Sequence, residues 1–383
     1  MAETQGKSTV KKQILFLFGV LLWGGMAVSL PPVAQAEEEY DDPDTNTIYQ
    51  LPSDSSGDQL SRLLQDARSL VQSGNFGRAL AIYQQAASLD SKNARIYSAI
   101  GYVLARQGNY QAAVNAYQQA VALERSNAEF YYALGYSLAN AGDNRGATAA
   151  YRRATQLNRN NLKAFLGLGA VLFRQEDYAG AMRTYEQAIQ LDPKSVEIRA
   201  SMASILLKQK RYQDAVNVLQ RAVSLEPNNS NLQFNLATAY LAQGNQSAGL
   251  AALEQAGRLE PRNAEIHLLQ GKLKRSQNNL EGALAAYQRA VAIDSKLAEA
   301  HAGIGEILLQ QQKFQEAVAA YRRLTKIVPQ EPAAHFNLGV ALSRWGRGSE
   351  AIASFNQALN LYQRQGQSEG VQKAEAALRE LQQ

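Results

Sequence analysis

Three histidines are the residues of this sequence best suited to metal or proton chemistry. His267, His301 and His335 are its only histidines and stand 34 residues apart. Imidazole is the commonest metal ligand in proteins and the usual proton carrier near neutral pH, so evenly spaced histidines can mark a metal or catalytic site. Cysteine is absent, which excludes disulfides, thiolate metal sites and a cysteine nucleophile. A site would therefore depend on bringing the three imidazoles together.

The spacing of the histidines follows an internal repeat of the chain. Nine gapless repeats of 34 residues run from Leu60 to Gln365. Each repeat has the apolar spacing of one helix, then a turn, then a second helix. Repeat position 8 is small, as at Gly135, and position 24 is large, as at Tyr151. The small residue lets a neighbouring helix approach the backbone, and the large residue fills the space beside it.

This pattern resembles the tetratricopeptide repeat, which has a Leu-Gly pair and a Tyr in its first helix and an Ala, a Phe and a late Pro after it. The late position holds proline in four repeats: Pro193, Pro227, Pro261 and Pro329. The resemblance implies an all-α fold in which antiparallel helix pairs stack as a right-handed superhelical solenoid. Residues 366–383 place an apolar stripe opposite charged residues, which predicts a C-terminal capping helix.

The repeat also answers the question of the histidines. All three occupy repeat position 4, and equivalent positions in neighbouring repeats lie on helices roughly 8–10 Å apart. Zinc needs each nitrogen at about 2.0–2.1 Å, so the three rings cannot share one ion. The sequence has no Gly-rich phosphate loop, His-Glu-x-x-His motif or Gly-x-Ser-x-Gly elbow. We therefore predict packing histidines, no catalytic, cofactor or metal site, and no enzyme.

Residues 1–36 have the pattern of an export signal. Three lysines precede an apolar run at 14–30, and a small-x-small site ends at Ala36. This order predicts a signal peptide cut after Ala36 and a location in the periplasm or an equivalent compartment such as a thylakoid lumen. The alternative is an uncleaved signal anchor and a membrane-anchored protein, since 17 residues is at the lower limit for spanning a bilayer.

The next segment, residues 37–59, has eight acidic residues and no basic one. Its low hydrophobicity and negative charge predict a flexible acidic leader. Residues 60–383 carry a net charge of +11, which favours an acidic partner or docking of the leader within the chain. Basic helical repeats also read RNA, but the 34-residue period and the predicted export argue against nucleic acid.

One face of the first helices is the predicted binding surface. Repeat positions 2, 5, 9 and 12 share a face, and the family resemblance places that face, with position 13, on the concave wall. Seven residues on it form the candidate peptide-binding groove: Arg95, Tyr102, Arg106, Tyr132, Tyr136, Phe173 and Arg174. Aromatic side chains interleaved with arginines suit an extended peptide with apolar and acidic side chains. The alternative is an ordinary solvated surface.

We therefore predict a non-enzymatic scaffold that binds a protein or peptide partner and organises an exported complex. The alternatives are a membrane-anchored assembly factor and a non-catalytic subunit of an enzyme complex. Membrane contact is expected only if the N-terminal segment stays uncleaved.

The sixth and seventh repeats contain a predicted weak point. Gly249 and Gly257 stand inside a predicted helix, where each glycine costs about 1 kcal/mol relative to alanine. Gln270 and Lys274 then replace apolar residues in the next helix. Residues 244–277 are therefore expected to act as a hinge or to be covered by a partner, and Gly257→Ala is expected to raise the melting temperature.

Overall fold

The computed structural model of the protein describes residues 55–381, and every regular element in that range is an α-helix. The predicted all-α class and helix-pair solenoid of tetratricopeptide repeats are confirmed. The helices are α1 Ser55–Gln72, α2 Phe76–Leu89, α3 Ala94–Arg106, α4 Tyr110–Leu123, α5 Ala128–Asn140, α6 Asn144–Leu157, α7 Leu162–Arg174, α8 Tyr178–Leu191, α9 Val196–Lys208, α10 Tyr212–Leu225, α11 Ser230–Gln243, α12 Gln246–Leu259, α13 Ala264–Ser276, α14 Leu280–Ile293, α15 Ala298–Gln310, α16 Phe314–Ile327, α17 Pro332–Arg344, α18 Gly348–Arg364 and α19 Ser368–Leu381.

Odd-numbered helices from α1 to α17 are the first helices of their repeats, and even-numbered helices are the second. From α3 to α17, each first helix begins at the residue where the sequence repeat begins. Helix α1 begins earlier, at Ser55, so the end of the predicted leader is helical. The predicted signal segment and residues 37–54 lie outside the described residues and stay predictions. No helix between 55 and 381 is long and apolar enough to cross a membrane.

Short polar side chains start most of the helices, and left-handed residues turn the chain between the two helices of a repeat. Asp177 Oδ1 accepts the backbone N–H of Gly180 at 2.8 Å, which satisfies a donor left free at the start of α8. The turn at repeat position 15 has a positive φ. Glycine supplies it at Gly142, whereas Lys210 adopts it at φ 60° despite its Cβ.

Glycine and tyrosine pack together in the core, as the sequence predicts. Tyr151 is 1% exposed. A Cβ added to Gly135 would lie 2.8 Å from Tyr151 Cδ1, and one added to Gly167 in the next repeat would lie 2.5 Å from Tyr151 Cζ. The ring is therefore held between two bare backbones. Tyr287 lies between Gly271 and Gly303 in the same way.

The chain divides into two compact units between Leu225 and Glu226. The first compact unit contains α1–α10, and its largest cluster of buried residues extends from Ala113 to Ile205. The second contains α11–α19, with a cluster from Ala283 to Phe355. The predicted weak segment 244–277 lies inside the second compact unit, so this division falls about half a repeat before it.

The three histidines pack against the chain that precedes their helices. His267 and His301 are buried. Their Nε2 atoms lie 3.0 Å from the carbonyl oxygen of Pro261 and 3.1 Å from that of Ser295. His335 Nε2 makes the equivalent contact at 3.0 Å. A carbonyl oxygen only accepts, so Nε2 is the donor in each of these contacts and ties a first helix to the preceding turn.

Candidate functional site

The seven predicted groove residues all lie on first helices of the first compact unit, on α3, α5 and α7. Arg106 and Arg174 are exposed, and Arg95, Tyr102, Tyr136 and Phe173 are half-buried. We call this surface the first-helix groove. The Arg106 guanidinium carbon lies 5.7 Å from the centre of the Phe76 ring, so this cation rests over an aromatic face.

Tyr132 is the exception within the predicted groove. Its side chain is 3% exposed, and its ring centre lies 6.0 Å from that of Tyr151. Burial raises the pKa of its hydroxyl well above the usual value. The expectation that Tyr132 stands away from the helix packing is therefore wrong, because its ring is part of the core. Its neighbour Tyr136, four residues on, keeps a partly exposed ring.

Two aromatic residues outside the predicted set support the groove. The Tyr110 and Tyr136 ring centres are 6.2 Å apart with an edge-to-face angle of 70°. Phe173 and Tyr178 are 5.5 Å apart at 65°. Tyr110 and Tyr178 both open a second helix, at repeat position 17. Sequence reasoning missed them because it considered first helices alone, although the aromatic residues recurring at position 17 were a usable signal.

A half-buried carboxylate moderates the positive charge of the groove. Glu129 Oε1 accepts a hydrogen bond from Asn161 Nδ2 at 2.9 Å. Burial raises the pKa of Glu129, while the charge of Lys163 and the Asn161 bond oppose that rise. Glu129 is therefore engaged by the neighbouring repeat, whereas Arg106 and Arg174 stand exposed at the ends of their helices.

In the second compact unit, the equivalent face is joined by ion pairs. Lys272 on α13 pairs with Glu299 on α15, and Arg275 pairs with Glu306 on the same two helices. These residues occupy repeat positions 9, 2, 12 and 9, the positions that define the groove face. The two cations that α13 presents on this face, Lys272 and Arg275, are therefore already matched by α15.

The predicted weak segment contains a compensating polar network. Gln270 is buried, and its Nε2 donates to the Leu253 carbonyl at 2.9 Å. The same amide lies 3.1 Å from His267 Nδ1. A Cβ added to Gly257 would lie 3.0 Å from Gln270 Nε2. The glycine makes room for the amide, so the predicted weak point holds a buried side chain that is hydrogen-bonded to Leu253.

A separate concavity lies on the opposite side of the first compact unit, between second helices α6 and α8. Its volume is about 670 Å³, and we call it the second-helix pocket. Buried side chains of α7 form its floor, namely Phe165, Leu168 and Leu172. All the charged side chains that line it are arginines: Arg152, Arg159 and Arg183. Sequence reasoning missed this pocket because its walls come from two different repeats.

Comparison with known proteins identifies the class of the chain. The family model described as "Cilia and flagella-associated protein 70 C-terminal domain" matches residues 55–302. Models described as "TPR repeat" and "Tetratricopeptide repeat" match residues 305–346 and 332–365. The chain therefore belongs to the tetratricopeptide repeat family, in the group represented by that C-terminal domain. No curated protein gives a significant sequence match.

The chain is also similar to solved structures of tetratricopeptide repeat proteins. The C-terminal part of a tetratricopeptide repeat protein from Cytophaga hutchinsonii is 15% identical with a TM-score of 0.56, over 63% of this chain and 99% of that one. A tetratricopeptide repeat protein from Parabacteroides merdae is 18% identical with a TM-score of 0.49, over 66% of this chain and 99% of that one. YrrB, described as a TPR protein with an unusual peptide-binding site, is 22% identical with a TM-score of 0.42, over 49% of this chain and 96% of that one.

Proposed function

We propose that the chain is a scaffold that binds a partner polypeptide along the first-helix groove and organises an exported complex. Tetratricopeptide repeat proteins are generally non-enzymatic and bind peptide or protein partners. The observation that carries the proposal is the groove itself. Half-buried aromatic rings lie on three consecutive first helices of one compact unit, and exposed arginines end the outer two, α3 and α7.

The chemistry of this surface favours an extended partner segment with apolar and acidic side chains. Tyr102, Tyr136 and Phe173 offer ring surface that is already held in place by neighbouring aromatic or core residues. Anchoring side chains that are fixed before binding lose little entropy on binding. Arg106 and Arg174 supply the charge that a carboxylate would meet, with two parallel hydrogen bonds available from each guanidinium.

The test reverses the two exposed arginines. Arg106→Glu with Arg174→Glu should reduce recovery of the native partner in affinity purification from the compartment where the protein resides by at least tenfold. Arg145→Glu with Arg221→Glu is the matched control, because both arginines are exposed on second helices of the same compact unit and the charge change is identical. Equal loss in both variants would show that net charge, and not the groove, governs binding.

Export is a second part of the proposal and has its own test. It is supported by the order of lysines, apolar run and small-x-small site in residues 1–36. The protein isolated from its own cells should begin at Glu37 and fractionate with soluble periplasmic or lumenal proteins. A start at Met1 or Ala2 and a membrane fraction would favour the anchored assembly factor instead.

A further inference from the structure

The second-helix pocket has the composition of a docking site for an acidic chain segment. Its apolar floor lies between rows of glutamine and arginine, including Gln156, Gln187 and the three arginines already named. Among the described residues, none of these guanidinium groups forms an ion pair with a carboxylate. The hydroxyls of Thr155 and Thr184 donate to carbonyls of their own helices at 3.0 and 2.8 Å, so the arginines and glutamines supply the outward-facing donors.

The chain itself contains a segment of matching chemistry. Residues 37–44 read EEEYDDPD, with six carboxylates and one tyrosine in eight positions. Residues 60–225 hold 20 basic and 11 acidic residues, a net charge of +9, whereas residues 226–383 hold 16 and 14, a net charge of +2. Most of the net positive charge lies in the compact unit that contains the pocket, so this unit attracts an acidic segment more strongly than the other does.

The chain between the acidic segment and α1 is long enough for that segment to reach the second-helix pocket. Ten residues, 45–54, separate this acidic segment from the start of α1. An extended chain spans about 3.3–3.6 Å per residue, which gives a reach of roughly 33–36 Å. The pocket lies three repeats after the first one, and packed repeats are about 10 Å apart, so the distance to span is roughly 30 Å. Arg159 lies in the turn before α7, at the end of the helix pairs where first helices begin, and α1 also begins at that end.

We propose that residues 37–44 dock in the second-helix pocket, with Tyr40 over the Phe165, Leu168 and Leu172 floor and the carboxylates against Arg152, Arg159 and Arg183. Docking is an intramolecular step, so several weak ion pairs acting together with the Tyr40 contact can hold the segment. The docked segment would lie on the face opposite the first-helix groove and leave that groove open to a partner.

The absence of cysteine allows a direct test in the full chain. Thr45→Cys with Gln187→Cys should form an intramolecular disulfide under mild oxidation at least ten times faster than Thr45→Cys with Gln119→Cys. Gln119 is the matched control because it is exposed at the same repeat position, 26, and lies two repeats nearer to the leader. A segment that merely sampled the surface would reach the nearer cysteine at least as often.

A second variant links the preference to the pocket. Arg152→Glu, Arg159→Glu and Arg183→Glu together should remove the tenfold preference and leave the Gln119→Cys rate unchanged or higher. Raising the salt concentration should also reduce the preference, because exposed charges are screened. Equal rates in the two cysteine pairs, a preference that survives the arginine changes, or a disulfide that joins two chains would each overturn the proposal.

Discussion

The two compact units use one repeat plan but satisfy their polar groups differently. On the groove face of the second compact unit, Lys272 and Arg275 pair with carboxylates of the next first helix. On the same face of the first compact unit, aromatic rings occupy three consecutive first helices, and exposed arginines end α3 and α7. Position 4 also changes along the chain, beginning with the last repeat of the first compact unit. It is apolar or aromatic in the first four repeats, and from the fifth onward it carries a side chain that donates to the preceding turn: Arg199, Gln233, His267, His301 and His335.

The packing positions that recur in every repeat therefore do not determine which side chains a repeat presents on its surface. Glycine against tyrosine holds both cores together, at Tyr151 in one and at Tyr287 in the other. The positions between them set the surface. Where a neighbouring carboxylate pairs with a cation, the charge is balanced within the solenoid. Where aromatic rings and guanidinium groups stand exposed, the surface is suited to binding a partner.

The largest loss of stability is expected from removing one buried tyrosine ring. Tyr151→Ala removes a buried ring and should lower the free energy of unfolding by about 3–5 kcal/mol. Because the chain divides at Leu225, hydrogen exchange should show lost protection in α5–α8 while α13–α16 stay protected. Tyr287→Ala is the matched variant and should give the reverse pattern. Equal loss throughout both compact units in either variant would break the comparison.

A smaller effect, opposite in sign to the sequence-based expectation, is predicted at Gly257. Alanine would gain about 1 kcal/mol of helix propensity. It would also displace the Gln270 amide from Leu253, and a buried unpaired amide costs about 1–3 kcal/mol. Gly257→Ala should therefore lower the melting temperature.

Shortening the amide's side chain tests that cause. In a Gln270→Ala background, the added methyl at Gly257 meets no amide nitrogen, so Gly257→Ala should become neutral or stabilising. A Gly257→Ala variant that melts above the parent protein with Gln270 intact would contradict the network.

The smallest effects are expected at the turns. Lys210→Gly in the first compact unit and Gln312→Gly in the second should each raise the free energy of unfolding by roughly 0.5–1 kcal/mol, because both residues adopt a left-handed backbone that strains a Cβ. Gly142→Ala, at the same repeat position with φ 89°, should be destabilising in thermal melts. A destabilised Lys210→Gly would indicate that its side chain contributes more than its strain.

The sequence predicted the fold well because the repeat constrains it many times over. The starts of α3–α17 and the contact of Gly135 with Tyr151 follow from the period and from residue size. The site was predicted less completely. The burial of Tyr132 depends on how the α5 ring meets Tyr151, and the second-helix pocket depends on the spacing between α6 and α8. A helical period does not determine either distance, so both features follow only from the three-dimensional packing of the helices.

Partner binding along the first-helix groove can be tested by hydrogen exchange of the full chain. The exchange is measured on the protein alone and in the complex recovered from its native compartment. We predict slower amide exchange on partner binding in α3, α5 and α7, which carry the first-helix groove, with little change in α13 and α15. Slower exchange confined to α13 and α15 would contradict this prediction, because the partner would then bind the face that ion pairs already satisfy.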